Sequence, residues 1–146
     1  MIIYKKGDLL EATENIIAHG CNCSGGFGSG VAGQIAKKWP VAKDYYLASH
    51  VDGYGLGSVQ MVPIGTNKWV ANCRTQKAYL PRGICHADYS AIESAMMSLR
   101  EYAETFNNSS IAIPKIGAGL AGGDWAIIEK IINYIFDNYD ITVYEL

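Results

Sequence analysis

Between His19 and Gln34 the chain reads His-Gly-Cys-Asn-Cys-Ser-Gly-Gly-Phe-Gly-Ser-Gly-Val-Ala-Gly-Gln, and no other stretch restricts the fold as much. An apolar run, Ile16 to Ala18, leads into it, and a helical pattern leads out. Gly25, Gly26, Gly28 and Gly30 can each take a positive φ and expose backbone N–H groups with no Cβ in the way. Successive amides of this kind form a concave nest for anions, and a following helix adds the positive end of its dipole. The stretch therefore reads as strand, anion-cradling loop, helix. Its spacing fits neither the P-loop lysine pattern nor the dinucleotide fingerprint.

A second unit of the same kind lies near the other end. Ile111 to Ile116 reads as a strand interrupted only by Pro114. It runs into Gly117-Ala-Gly-Leu-Ala-Gly-Gly-Asp-Trp125, after which Ile127, Ile128, Ile131, Ile132 and Ile135 trace an amphipathic helix. One such loop is often only a tight connection. Two of them can hold two phosphates, or a diphosphate, from both sides through backbone amides, which explains why few lysines and arginines lie near them.

The remaining segments give the frame. Ile2 to Lys6 and Ile141 to Leu146 read as strands, and Ile16 to Gly20 as a central strand buried on both faces. Val59 to Ile64 and Trp69 to Thr75 read as a strand pair. Helices are expected over Ser29 to Lys38 (stopped by Pro40), over Val41 to Val51, and from Asp88 as N-cap through Phe106. Gly53, Gly55 and Gly57 mark one loop, and Pro81-Arg82-Gly83 a turn. Alternating strands and helices favour a parallel sheet covered on both faces. The N-terminal strands and the 59–75 pair lack crossover helices, so part of the sheet is expected to be antiparallel. The fold class is α/β: one domain over 1–146, a three-layer α/β/α sandwich on a mixed sheet of about six strands.

Composition narrows the function. The chain has 146 residues, a net charge of −2 and no basic stripe, which argues against nonspecific nucleic-acid binding. No segment approaches the ~20 apolar residues of a membrane span, and the first residues already read as a strand. Four cysteines at 21, 23, 73 and 85 form no zinc knuckle and read as free thiols of a reducing, cytoplasmic compartment. No metal and no cofactor is expected, no membrane partner, and a monomer.

The motifs Gly7-Asp8-Leu9, His19-Gly-Cys-Asn22-Cys, Gly28-Ser-Gly-Val-Ala and Ile113-Pro-Lys-Ile-Gly-Ala-Gly-Leu-Ala-Gly-Gly-Asp-Trp125 resemble the macrodomain family across nearly the whole chain. Within it they resemble the branch of ADP-ribose 1″-phosphate phosphatases and terminal ADP-ribose protein glycohydrolases. The resemblance implies a macrodomain fold and an ADP-ribose ligand, free or carried on protein or nucleic acid. It implies that Asp8 accepts the adenine amino hydrogens, with the Leu9 amide at the ring. It places Asn22 on the distal ribose, and Gly28, Ser29, Gly30 and Val31 opposite Gly117, Ala118, Gly119 and Leu120 around the diphosphate.

For chemistry, His19 is the first candidate acid/base, because phosphatase-like members carry a histidine there. Asp124 is the second, although an aspartate opening a helix is commonly a cap. Glycohydrolase relatives carry a catalytic lysine after the strand that here ends Cys73-Arg-Thr-Gln-Lys77. Gln76 aligns with it, and Lys77 follows one residue later, where an extended chain turns the side chain to the opposite face. Ala121 stands where protein-deacylating relatives have an aspartate. The resemblance thus implies an ADP-ribose 1″-phosphate phosphatase, with a glycohydrolase or esterase acting through Lys77, or a non-catalytic ADP-ribose reader, as alternatives.

Overall fold

The computed structural model describes residues 1–51, 55–78 and 84–146, so Gly53 and the Pro81-Arg82-Gly83 turn lie outside the described residues. Six strands form one sheet: β1 (Ile2–Lys6), β2 (Ile16–Cys21), β3 (Val59–Gly65), β4 (Lys68–Arg74), β5 (Ile111–Ile113) and β6 (Ile141–Glu145), in the order β1-β6-β5-β2-β4-β3. Among the described residues four helices cover it: α1 (Gly30–Lys38), α2 (Pro40–Ala48), α3 (Tyr89–Thr105) and α4 (Trp125–Ile135). All pairings are parallel except the β3–β4 hairpin. The two N-terminal strands, expected to contribute to an antiparallel part, are not neighbours. β1 lies at the edge beside β6, five residues in parallel register from Ile2↔Ile141 to Lys6↔Glu145.

Strand alternation divides the core into two faces. Ile16 and Ala18 of β2, Ala71 and Cys73 of β4, and Ile141 and Val143 of β6 pack against α3 and α4. On the other face Val62, Val70 and Cys21 pack under Ile35, Ala42 and Tyr46 of α1 and α2. A smaller cluster, Leu9, Ile17, Ala112 and Tyr144, fills the space beneath a short 3₁₀ turn, Leu9–Glu11. These are the three layers of an α/β/α sandwich.

The local starts and stops follow from residue type. Pro40 occupies the first turn of α2, where its missing N–H costs nothing. Pro114 ends β5 after three residues, earlier than the expected Ile116. Asp88 caps α3 by accepting from the Ala91 amide at 2.9 Å.

β2 and β5 are hydrogen-bonded neighbours in the middle of the sheet. The chain leaves the carboxyl end of β2 for α1 on one face and that of β5 for α4 on the other. Adjacent parallel strands whose connections diverge to opposite faces open a crevice at that edge, the usual ligand site of an open α/β sheet. Both glycine-rich loops lie there.

Candidate ligand cleft

The first loop has two halves with different hydrogen bonding. In the first half the Asn22 Oδ1 accepts from the amides of Ser24 (3.0 Å) and Gly26 (3.2 Å), while its Nδ2 donates to the Gly26 carbonyl (2.8 Å). The Gly25 amide donates to the Tyr46 hydroxyl at 3.0 Å. Amides 24 to 26 are thus engaged, two by Asn22 within the loop and one by Tyr46 of α2. In the second half Ser29 is the N-cap of α1 but makes no side-chain capping bond. The amides of Gly28 to Ala32 donate to no described residue, as a helix start without a cap requires. Gly30 holds φ +60, and a Cβ on Gly33 would sit 2.8 Å from the Gly28 carbonyl oxygen, so α1 starts hard against the loop.

The second loop is braced from behind. Gly123 N donates to Gly117 O (2.8 Å), Gly122 N to Gly119 O (3.0 Å), and the Ala121 carbonyl accepts from His86 and Ala87 amides (2.7 and 3.1 Å). Gly117 is held at φ +78. The amides of Gly119, Leu120 and Ala121 donate to no described residue. Leu120 reaches across to within 3.2 Å of a Cβ position on Gly30.

Between the loops lies a cleft of about 360 Å³. Of the expected binding residues, Asn22, Ser29, Gly30, Val31, Gly117, Gly119 and Leu120 line it. Gly28 and Ala118 belong to the same loops without lining the wall. Asp8 and Leu9 sit outside it: Asp8 is exposed and caps the 3₁₀ turn through Leu10 N (2.9 Å), and Leu9 is buried. Val31 joins the two regions, since it lines the cleft and packs on the Leu9 cluster. Asn22, placed on the distal ribose by the resemblance, lines the cleft, and its side-chain amide also organises its own loop.

The three candidate catalytic residues are not brought together. His19 is fully buried and absent from the cleft wall. Its Nε2 donates to Asn72 Oδ1 at 2.6 Å, and its ring meets Phe27 edge-on at 5.3 Å. Burial pulls its pKa down to about 4, against the opposing Asn72 hydrogen bond, so it is neutral at pH 7. The reason is alternation: His19 shares the face of Ile17 and Cys21, which α1, α2 and the 3₁₀ turn cover.

Lys77 is exposed and off the cleft, and its carbonyl accepts from Cys23 N (3.1 Å). Gln76, its neighbour, lines the cleft and donates to Ala78 O at 2.6 Å. Asp124 is exposed and accepts from Ala126 N (2.9 Å) as the α4 cap. Asp124→Ala is expected to lose about 1 kcal/mol of stability, lowering Tm by roughly 3 °C, with turnover unchanged. Thermal melts and a rate assay on the same sample check both.

The cleft residues not expected from the sequence include Thr75, Gly20 and Lys115. Thr75 is 1% exposed, and its Oγ1 has no partner among the described residues. Gly20 is required opposite it, because a Cβ there would lie 2.7 Å from that oxygen. Lys115 is the only cationic side chain among the described lining residues, and it pairs with Glu145 at 2.7 Å, which raises its pKa. Its signal was the Pro-Lys-Ile-Gly run at the mouth of the second loop. No group of metal-ligating side chains occurs among the described residues, and no described helix is long and apolar enough to cross a membrane.

A central parallel sheet whose two adjoining strands each end in an amide-rich loop is the build of a macro domain. The Macro domain family model matches residues 18–132, and the chain belongs to that family. It is 30% identical to an ADP-ribose 1″-phosphate phosphatase of Debaryomyces hansenii, over 99% of this chain and 98% of that one. It is 28% identical to the DNA ADP-ribosyl glycohydrolase of Mycobacterium tuberculosis, over 89% of this chain but 37% of that longer one. Among solved structures, a macrodomain protein from Streptomyces coelicolor superposes with a TM-score of 0.83 at 32% identity, covering 100% and 99% of the two chains.

Proposed function

We propose that this macro domain binds ADP-ribose derivatives and hydrolyses them, with ADP-ribose 1″-phosphate as the substrate and inorganic phosphate the product. The observation that carries the reading is the pair of unengaged amide arrays, 29–32 and 119–121, whose residues line one cleft. Neutral donors fixed in place stabilise phosphate charge without reorganising, and a helix start adds its dipole. The relatives named as phosphatases match over essentially their whole length, which supports this substrate over a conjugate.

The described cleft side chains supply little acid–base chemistry. Lys115 stays protonated in its pair with Glu145, and burial pushes the Cys21 thiol up to about 12. The protein's contribution is therefore to bind, orient and stabilise charge, while the substrate's own phosphate oxygens handle the proton. Water forms the new bond to phosphorus, the bond from phosphorus to the 1″ oxygen breaks, and that oxygen leaves with a proton as ADP-ribose.

The test is turnover of ADP-ribose 1″-phosphate beside ADP-ribosylated DNA and protein. Phosphate release by the wild type, unchanged in Lys77→Ala, is the expected result. Release from a conjugate that Lys77→Ala abolishes would establish the glycohydrolase reading instead. Micromolar binding of ADP-ribose with no turnover of any of them would make the domain a reader.

A further inference from the structure

No residue of α2 lines the cleft, yet its Tyr46 is fully buried and its hydroxyl lies at the root of the first loop. The phenol oxygen is 2.9 Å from both the carbonyl oxygen and the Oδ1 of Asn22, and it accepts from Gly25 N at 3.0 Å. It therefore ties together the residue before the chain reversal and the residue at φ +88 within it. The ring is set from the sides by Phe27 at 5.0 Å, His50 stacked at 5.7 Å and the Arg74 guanidinium at 5.3 Å. Burial pushes the hydroxyl up to about 12, so the proton it donates is always present.

The helix carrying it is seated with equal definition. Ala42 lies one turn earlier on the same face, and its carbonyl accepts from Asn72 Nδ2 at 3.1 Å. That amide is oriented in turn by His19 Nε2 on its Oδ1 and by Gln60 Oε1 at 3.1 Å. A continuous chain of contacts runs from β2 and β4 through α2 to the loop.

We infer that Tyr46 is a positioning residue for ligand binding: its hydroxyl draws the Asn22–Gly25 turn inward, and this leaves the amides of Ser29 to Ala32 available on the cleft wall. It touches no ligand itself. The first half of the loop gives up its donors so that the second half keeps them in register. The inference rests on the cleft being the ADP-ribose site, and it names the residue that makes one wall of that site competent.

The experiment is Tyr46→Phe, which keeps the ring and its three neighbours and removes only the oxygen. ADP-ribose should bind about tenfold more weakly, with Tm within roughly 3 °C of wild type. Amide hydrogen exchange, followed well below the melting temperature, gives a readout that general destabilisation does not move. In the wild type Gly25 and Gly26 should be protected while Gly28 to Val31 exchange quickly, and Tyr46→Phe should release Gly25 and Gly26 selectively. Wild-type affinity in the variant, a lowered Tm with affinity kept, or unprotected Gly25 in the wild type would each overturn the inference. The last needs no variant to fold. If the wild type itself binds no ADP-ribose, the functional reading fails, and the exchange pattern still judges the role of Tyr46.

Discussion

Gly119→Glu abolishes ADP-ribose binding and leaves the fold intact: that is the result expected from the geometry of the second loop. Gly119 lines the cleft, is exposed, and has no heavy atom within 4 Å of the position a Cβ would take. Its φ is not in the left-handed region, so a larger residue fits its backbone. Hence neither strain nor overpacking threatens the sheet or α4. The new carboxylate projects beside the amides at 119–121, where a diphosphate would lie. At ~5 Å and an effective dielectric of about 20, each like-charge contact costs roughly 3 kcal/mol. Against a micromolar ligand, worth about −8 kcal/mol, two such contacts remove binding from the measurable range. Titration calorimetry and thermal melting on the same preparation check it. A folded variant of wild-type affinity would place the phosphates outside this cleft.

The neighbouring glycines make the contrast that gives this variant its meaning. A Cβ on Gly123 would lie 2.5 Å from the Gly117 carbonyl oxygen, and Gly117 itself holds φ +78. Substitution at either disturbs the loop backbone, so lost binding there would say nothing about charge.

Most of the frame was legible because it rests on period and punctuation. The isoleucines of α4, Pro40 at the start of α2 and Asp88 before α3 all act locally, and local signals survive in one dimension. The position of β1 was not legible, since its pairing with β6 depends on a register more than a hundred residues away. The cleft was legible through its glycines and only partly through its side chains. Ser29 has the residue type of an N-cap, yet it leaves the helix start uncapped. Lys115 stands in a motif whose glycines dominate its signal, and its pairing with Glu145 joins the ends of β5 and β6. The family resemblance places Asn22 on the ligand. What engages it is Tyr46, 24 residues on, on a helix whose face toward the sheet no loop motif reveals.

His19→Ala tests the deepest of these differences, and its expected outcome is a loss of stability with catalysis retained. The imidazole is wholly enclosed, with Asn72 Oδ1 at 2.6 Å and Phe27 edge-on. Truncation leaves a cavity and removes a donor from a buried amide oxygen, together about 3 kcal/mol. Turnover per folded molecule should stay within roughly threefold, because no His19 atom borders the cleft. The pH dependence gives an independent check. The folded imidazole titrates at about 4 and the unfolded one near 6.5, so the unfolded chain takes up the proton first. The stability that neutral His19 supports is complete above pH 6.5 and is lost as pH falls toward 4, about 3 kcal/mol across that window. His19→Ala should flatten this part of the stability profile, measured by urea unfolding at successive pH values. His19→Gln, whose amide can still donate toward Asn72, should recover part of the loss without restoring the slope. A His19→Ala protein that stays as stable as wild type but loses ~10²-fold in rate would put the imidazole on the substrate.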